Sequence, residues 1–131
     1  MFIWGFVFPE NINEQNSDSL NVSYSQKITH LTGHSLLPIA ISYAGYGSLW
    51  KSTATIMIAS NLVDVDHLLA KPIYSPDRCS IESHPLHSLP MIGLYSAMLF
   101  NDQTQEWGVG LLTHMAVDFV DCINTQDRLG T

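Results

Sequence analysis

The chain has 131 residues, of which 46% are apolar and only 13% are charged. That charged share is about half the share in an average soluble domain, so the composition favours a very buried helical protein or contact with lipid. The formal net charge of −7 comes from twelve acidic and five basic residues. Such an acidic chain is a poor match for a phosphate backbone, which argues against nucleic acid as a partner.

The N-terminal part of the chain differs from the rest in composition. Residues 1–8 are apolar but have no basic residue and no small-residue cleavage site, so they make a poor signal peptide. Residues 9–26 are polar and turn-prone. We therefore predict a disordered or loosely attached leader at 1–26, a helical domain at 27–124 and a short tail at 125–131.

Four apolar segments follow the leader, at 28–47, 50–70, 86–100 and 107–123, and a loop with two prolines lies at 71–83. β-branched and aromatic residues at 39–46 and 53–58 raise the alternative of strands. Strict alternation is absent, however, and the segments run past about ten residues, so helices are favoured. The fold predicted is all-α, a compact four-helix bundle.

The lengths of these segments also bear on the membrane. Each segment approaches the roughly twenty apolar residues that span a bilayer, and the ionisable groups within a membrane helix usually face the bundle interior. On this basis we expect a membrane-embedded protein with transmembrane helices.

Histidines and aspartates recur at helical spacing in these apolar segments. Residues three or four apart share one face of a helix, and three such stripes exist: His30 with His34; Asn61, Asp64 and His67; and His114, Asp118 and Asp121. Asp66 is expected to point away from the second stripe if that helix is regular. His84 and His87 form a fourth cluster after the loop.

All six histidines of the chain fall into these clusters. A single histidine on an apolar face is more often a core residue, and a single His-x-x-x-Asp pair is often a hydrogen bond within one helix. The joint clustering instead favours a divalent metal site. Imidazole with carboxylate favours zinc, with manganese or iron as alternatives. The set is large enough for one ion or for two ions bridged by a carboxylate, for which Asp118 is the candidate.

The two cysteines, Cys79 and Cys122, lie far apart without a Cys-x-x-Cys spacing. Buried free thiols are the expected state, with a disulfide or a soft metal ligand as alternatives.

The run from Asn61 to Ser88, with its Asp64-Val-Asp66-His67 and His84-Pro-Leu-His87 motifs, together with 110–122, resembles an uncharacterised bacterial family of small membrane proteins. That family is in turn similar to the inner-membrane-bound metal-dependent hydrolases, which include the LexA-binding inner-membrane protein, and more remotely to zinc-dependent phospholipase C. The larger hydrolases carry an arginine beside the middle histidine, where this chain has Pro85.

The resemblance implies a metal-dependent hydrolase of an ester or phosphoester, with a small-molecule or lipid substrate and membrane lipid as a partner. It also implies a multi-pass protein of the bacterial inner (cytoplasmic) membrane. We expect a metal-bound water to be activated near neutral pH. Asp66 is expected to orient an imidazole or act as general base, and His67 is assigned to catalysis with it; Arg78 and Asn61 are assigned to substrate binding. The expected metal ligands are His34, Asp64, His84, His114 and Asp118, with His30, His67 and His87 around a second ion or behind the first.

Two other functions use the same residues. A non-catalytic membrane protein could carry metal ions or protons through the cluster. Alternatively, a structural metal with a closed coordination shell could hold the bundle together.

Overall fold

The computed structural model describes residues 17–69 and 79–129. Within these ranges the chain forms four α-helices and no strand: α1 Ser17–Gly45, α2 Trp50–Ala59, α3 Leu89–Met98 and α4 Gln105–Leu129. The prediction of an all-α fold is confirmed. α1 begins inside the stretch predicted as a leader, while the apolar residues 1–8 and Arg78 lie outside the described residues.

Three stretches of 3₁₀-helix connect the α-helices. Gly47–Leu49 links α1 to α2, Ser60–Leu69 continues directly from α2, and Pro85–His87 precedes α3. The 3₁₀ stretch Ser60–Leu69 is unusual because such helices rarely run beyond three or four residues. It replaces the second half of a helix predicted over 50–70.

The 3₁₀ geometry of Ser60–Leu69 decides which of its side chains are buried. With three residues per turn, side chains three apart lie directly above one another. Asp64 and His67 share one buried stripe, and Val63 and Asp66 share another. The third stripe holds Leu62, Val65 and Leu68, and it is exposed. Asp66 therefore points inward, contrary to the expectation for a regular α-helix.

Helix α4 packs against all three other α-helices and against Ser60–Leu69. Two glycines allow close approach at this helix: a methyl group on Gly110 would lie 2.8 Å from the Met57 Cα, and one on Gly33 would lie 3.0 Å from the Val117 Cγ1. Gly33 directly precedes His34, and Gly110 lies one turn before His114. The two close contacts thus bring α1 and α2 towards the face of α4 that carries His114 and Asp118.

The apolar core is small and lies beside this face. Its buried members are Val63, Tyr95 and Met115, with partly buried side chains from α3 and α4 packed around them. The Tyr95 hydroxyl donates a hydrogen bond to the Leu86 carbonyl oxygen at 3.0 Å, which ties α3 to the short 3₁₀ turn before it. This core supports one side of the polar cluster described below.

A disulfide bond joins Cys79 to Cys122. The prediction of free thiols is therefore wrong, and the alternative of a disulfide holds. Cys122 lies one turn beyond Asp118 on α4, whereas Cys79 begins the described segment that leads to His87. The bond attaches that segment to α4.

The prediction of transmembrane helices is contradicted. Across residues 17–69 and 79–129, no helix combines the length and the apolar character needed to cross a bilayer. α2 and α3 have ten residues each, or about 15 Å, against a hydrocarbon core of about 30 Å. α1 and α4 are longer but are interrupted by ionisable residues. The expected membrane-embedded bundle, multi-pass in the bacterial inner membrane, is therefore corrected.

Candidate metal centre

Four buried side chains from three parts of the chain converge between α4 and the 3₁₀ stretches. His114 and Asp118 come from α4, Asp64 from Ser60–Leu69, and His87 from the turn before α3. The His87 Nε2 lies 3.3 Å from the His114 Nε2, 3.4 Å from the Asp64 Oδ1 and 3.2 Å from the Asp118 Oδ2. The His114 Nε2 lies 3.2 Å from the same Asp64 oxygen and 3.5 Å from the same Asp118 oxygen.

These five distances resemble the spacing of ligands around a tetrahedral metal ion. Zinc–nitrogen and zinc–oxygen bonds are about 2.0–2.1 Å, which places tetrahedral ligand atoms about 3.3–3.4 Å apart. Two nitrogens and two carboxylate oxygens are also ligands that zinc accepts. We call Asp64, His87, His114 and Asp118 the four-ligand position.

Hydrogen bonds orient both imidazoles of the four-ligand position. The Asn61 Nδ2 donates to the His34 carbonyl oxygen at 3.2 Å, so the Asn61 Oδ1 faces and accepts from the His114 Nδ1, at 2.9 Å. The Asp66 Oδ2 accepts from the Leu86 N–H at 2.8 Å and from the His87 Nδ1 at 3.1 Å. In a neutral imidazole whose proton is on Nδ1, the Nε2 atom carries a free lone pair. Both lone pairs then point into the four-ligand position.

The electrostatics of this position call for a positive charge. Burial disfavours the charged form of His87, but hydrogen bonds to Asp118 and Asp64 outweigh it and raise the pKa of His87 to about 10. The pKa of His114 is raised by the same two carboxylates against the same burial. Burial opposes ionisation of Asp64 and Asp118, yet their histidine partners hold both pKa values below the ordinary range. Without a metal ion, protonation of His87 and His114 provides the positive charge that balances the two carboxylates.

A second group of ligand atoms adjoins the first. His30 and His34 lie one turn apart on α1, and their Nε2 atoms are 3.6 Å and 3.1 Å from the Asp118 Oδ1. Burial, followed by the nearby His34, lowers the pKa of His30 to about 4, so its imidazole is neutral at pH 7. We call His30, His34 and Asp118 the three-ligand position.

His67, Ser80 and His84 lie behind the four-ligand position, around Asp66. The Asp66 Oδ1 is 3.1 Å from the His67 Nδ1, and the His67 Nε2 is 3.4 Å from the Ser80 Oγ. The His84 ring stacks on the His67 ring with centroids 3.9 Å apart. Within the described residues, Asp66, His67 and His87 form a third group of ligand spacing, but His84 belongs to none.

The structure thus brings together most residues that the sequence singled out. His30, His34, Asp64, His114 and Asp118 occupy the two positions, and His87 lies where His84 was expected. Asn61 was assigned to substrate binding, yet both ends of its amide hold other protein groups, His114 and the His34 carbonyl. Its spacing of three residues from Asp64 was the available signal for this supporting role.

Residues 24–125 match a family of unknown function, DUF6122. The chain belongs to this family. The expected resemblance to an uncharacterised family is thereby confirmed, and DUF6122 membership covers the four-ligand and three-ligand positions together. No curated protein and no solved structure matches the chain significantly.

Proposed function

We propose that this DUF6122 protein is a divalent-metal-dependent hydrolase that cleaves an ester or phosphoester bond. The observation that carries the metal site is the arrangement of the His87 and His114 Nε2 atoms, 3.3 Å apart and facing each other. Their Nδ1 atoms are committed to Asp66 and Asn61, so the two Nε2 atoms face each other beside two carboxylates. This arrangement needs a cation between the two rings, and a divalent metal ion meets that need.

The ion that best fits the four-ligand position is zinc, with manganese or iron as alternatives where oxygen ligands dominate. A divalent ion bound in this cluster would supply Lewis-acid activation of a water molecule and of the bond to be cleaved. Asp66 orients His87 through its Nδ1 proton, and Asn61 does the same for His114. Such outer hydrogen bonds typically change metal affinity or activity by about 10- to 100-fold.

The hydrolytic part of the proposal is supported by the ligand chemistry and by the resemblance to metal-dependent hydrolases. In hydrolysis, the oxygen of water bonds to the acyl carbon or phosphorus, the ester bond breaks, and the leaving alkoxide takes up a proton. The substrate is a small molecule or is derived from lipid.

A purely structural metal is the second candidate, and one observation favours it. The four-ligand position already offers four protein ligands, the number found in closed structural zinc sites. Turnover separates the two functions, because a structural site supports folding without hydrolysing any ester.

Elemental analysis of the purified chain, paired with assays on p-nitrophenyl acetate and bis(p-nitrophenyl) phosphate, tests the proposal. We expect bound zinc in the wild type, less zinc in His87→Ala and His114→Ala, and full retention in His84→Ala. That control also removes a buried histidine, but one outside both positions. Equal metal content in the first two variants and the wild type would refute the site, and metal without turnover would leave the structural function.

A further inference from the structure

The three-ligand position contains histidine nitrogens that lack hydrogen bonds. The His30 side chain is only 8% exposed, and within the described residues neither of its ring nitrogens has a hydrogen-bond partner. The same holds for the His34 Nδ1. Burying polar nitrogens without partners is unfavourable, so native proteins usually satisfy them with a protein group, water or an ion. These imidazoles therefore point to a ligand.

Asp118 connects the two positions through different oxygen atoms. Its Oδ2 lies 3.2 Å and 3.5 Å from the Nε2 atoms of His87 and His114, whereas its Oδ1 lies near those of His30 and His34. Each oxygen of this carboxylate lies beside a different pair of imidazoles, which is the arrangement of a bridging ligand. Paired ions in hydrolytic sites lie about 3.5–4 Å apart.

The two positions differ in the number of ligands that the protein supplies. Four protein ligands close a tetrahedral site, whereas catalytic zinc sites typically have three and keep the fourth position for water or substrate. His30, His34 and Asp118 supply three. Asp121 borders this side, since its Oδ2 is 3.7 Å from the His30 Nδ1 and its side chain is 29% exposed. The three-ligand position therefore adjoins solvent.

We propose that His30, His34 and Asp118 bind a second divalent ion with an open coordination position, and that this ion, rather than the one in the four-ligand position, receives an oxyanion ligand such as an ester or phosphoester oxygen. This rests on the proposed metal centre and assigns different tasks to its two halves. The four-ligand ion holds α4, Ser60–Leu69 and the turn before α3 together. The three-ligand ion exchanges and meets substrate.

The test uses the metal-free full chain titrated with Co²⁺, whose visible spectrum reports coordination, with inorganic phosphate as the probe for an open position. The wild type is expected to bind two equivalents, and phosphate is expected to shift the spectrum. His30→Gln is expected to keep one equivalent, to keep its metal-dependent thermal stabilisation and to lose the phosphate response. His87→Gln is expected to lose the stabilisation, and His84→Gln is expected to behave as the wild type.

One equivalent in the wild type, or two in His30→Gln, would overturn the inference. So would a phosphate response that survives in His30→Gln, since the open position would then lie elsewhere. If His30→Gln fails to fold, His34→Gln removes the neighbouring ligand of the same position and carries the same expectations. None of these readouts requires turnover. A chain that binds two ions but hydrolyses no ester would therefore disprove the proposed hydrolase function and leave the two-ion inference intact.

Discussion

The interior of this protein is mostly polar and its exterior carries many large apolar side chains, which is the reverse of the usual arrangement. Six apolar residues are buried within the described ranges, against fourteen polar or charged ones, among them His34, Asp66 and Asp118. Large apolar side chains such as Leu62, Val65 and Phe119 are exposed. Because buried apolar area is limited, the stability of this fold depends on how well the polar interior is satisfied. The outer side chains contribute comparatively little.

Metal removal is expected to have the largest effect on stability, because it acts on the polar interior. A ligand that binds only the folded state stabilises it by about 4 kcal/mol when its free concentration is 1,000 times its Kd. We therefore expect chelation to lower the free energy of unfolding by about this amount for each tightly bound ion. Urea unfolding with and without excess zinc measures it. Superimposable curves at zinc concentrations that fill the sites would show that the interior needs no ion.

Asp66→Ala and Val65→Ser compare the two regions at adjacent residues. Asp66 is 4% exposed and contacts His67, His87 and the Leu86 N–H, so its removal should cost about 3–5 kcal/mol, as for a broken buried ion pair. Val65 is 58% exposed, and its replacement should change stability by less than about 0.5 kcal/mol. Urea midpoints of the two variants should differ accordingly. Equal losses would disprove the contrast.

Reduction of the Cys79–Cys122 disulfide should have a smaller effect. Disulfides typically contribute about 2–4 kcal/mol to stability, and this one attaches the segment that carries His87 to the helix that carries His114 and Asp118. We expect a dithiol reductant to lower the unfolding midpoint and weaken zinc binding. The Cys79→Ser/Cys122→Ser double variant is the control, since it should not respond to the reductant. A reductant effect of equal size in that variant would assign the change to another group.

The pH dependence of the metal-free chain should show the smallest effect. The folded-state pKa values of His30 and His67 are lowered to about 4, mainly by burial, so the unfolded chain binds more protons between about pH 4 and 6.5 and stability falls as pH decreases there. The pKa of His87 is raised to about 10, so its contribution is lost as pH rises from 6.5 to about 10. Urea midpoints with EDTA should peak near pH 6.5.

His87→Gln provides the check on that profile. It removes one of the two raised histidine pKa values and should make the alkaline decline smaller, while the part due to His114 and the acid decline due to His30 and His67 remain. An alkaline limb of the same size in this variant would mean that another group causes it.

The sequence predicted much of the site because its ligands come in pairs on regular helices. His30 with His34 and His114 with Asp118 share helix faces through local spacing alone, and local spacing is readable from sequence. The convergence of those faces followed from the burial of ionisable groups in apolar segments. The all-α fold followed from segment length.

What the sequence did not predict depends on contacts between distant residues. The change from α-helix to 3₁₀-helix after Ala59 turns Asp66 inward, and no residue type in Ser60–Leu69 predicts that change. His87 replaces His84 in the cluster because Asp66 binds the Leu86 N–H and the His87 ring. The disulfide spans 43 positions. The membrane prediction failed because the apolar composition is spread over helices that are too short or too often interrupted.

The 3₁₀ stretch Ser60–Leu69 also constrains how the length of this protein can vary. Each added residue rotates the following side chains by about a third of a turn. A single insertion near Asn61 would therefore turn Asp64 outward, and a single deletion would turn Asp66 outward. Either change would also move the Leu62–Val65–Leu68 stripe to a side that is now buried. Changes of three residues would keep the stripes in phase but shift the acids by about 6 Å along the axis. Related chains that retain the cluster should thus show a fixed length between Ala59 and His67, whereas substitutions on the outer stripe should be frequent.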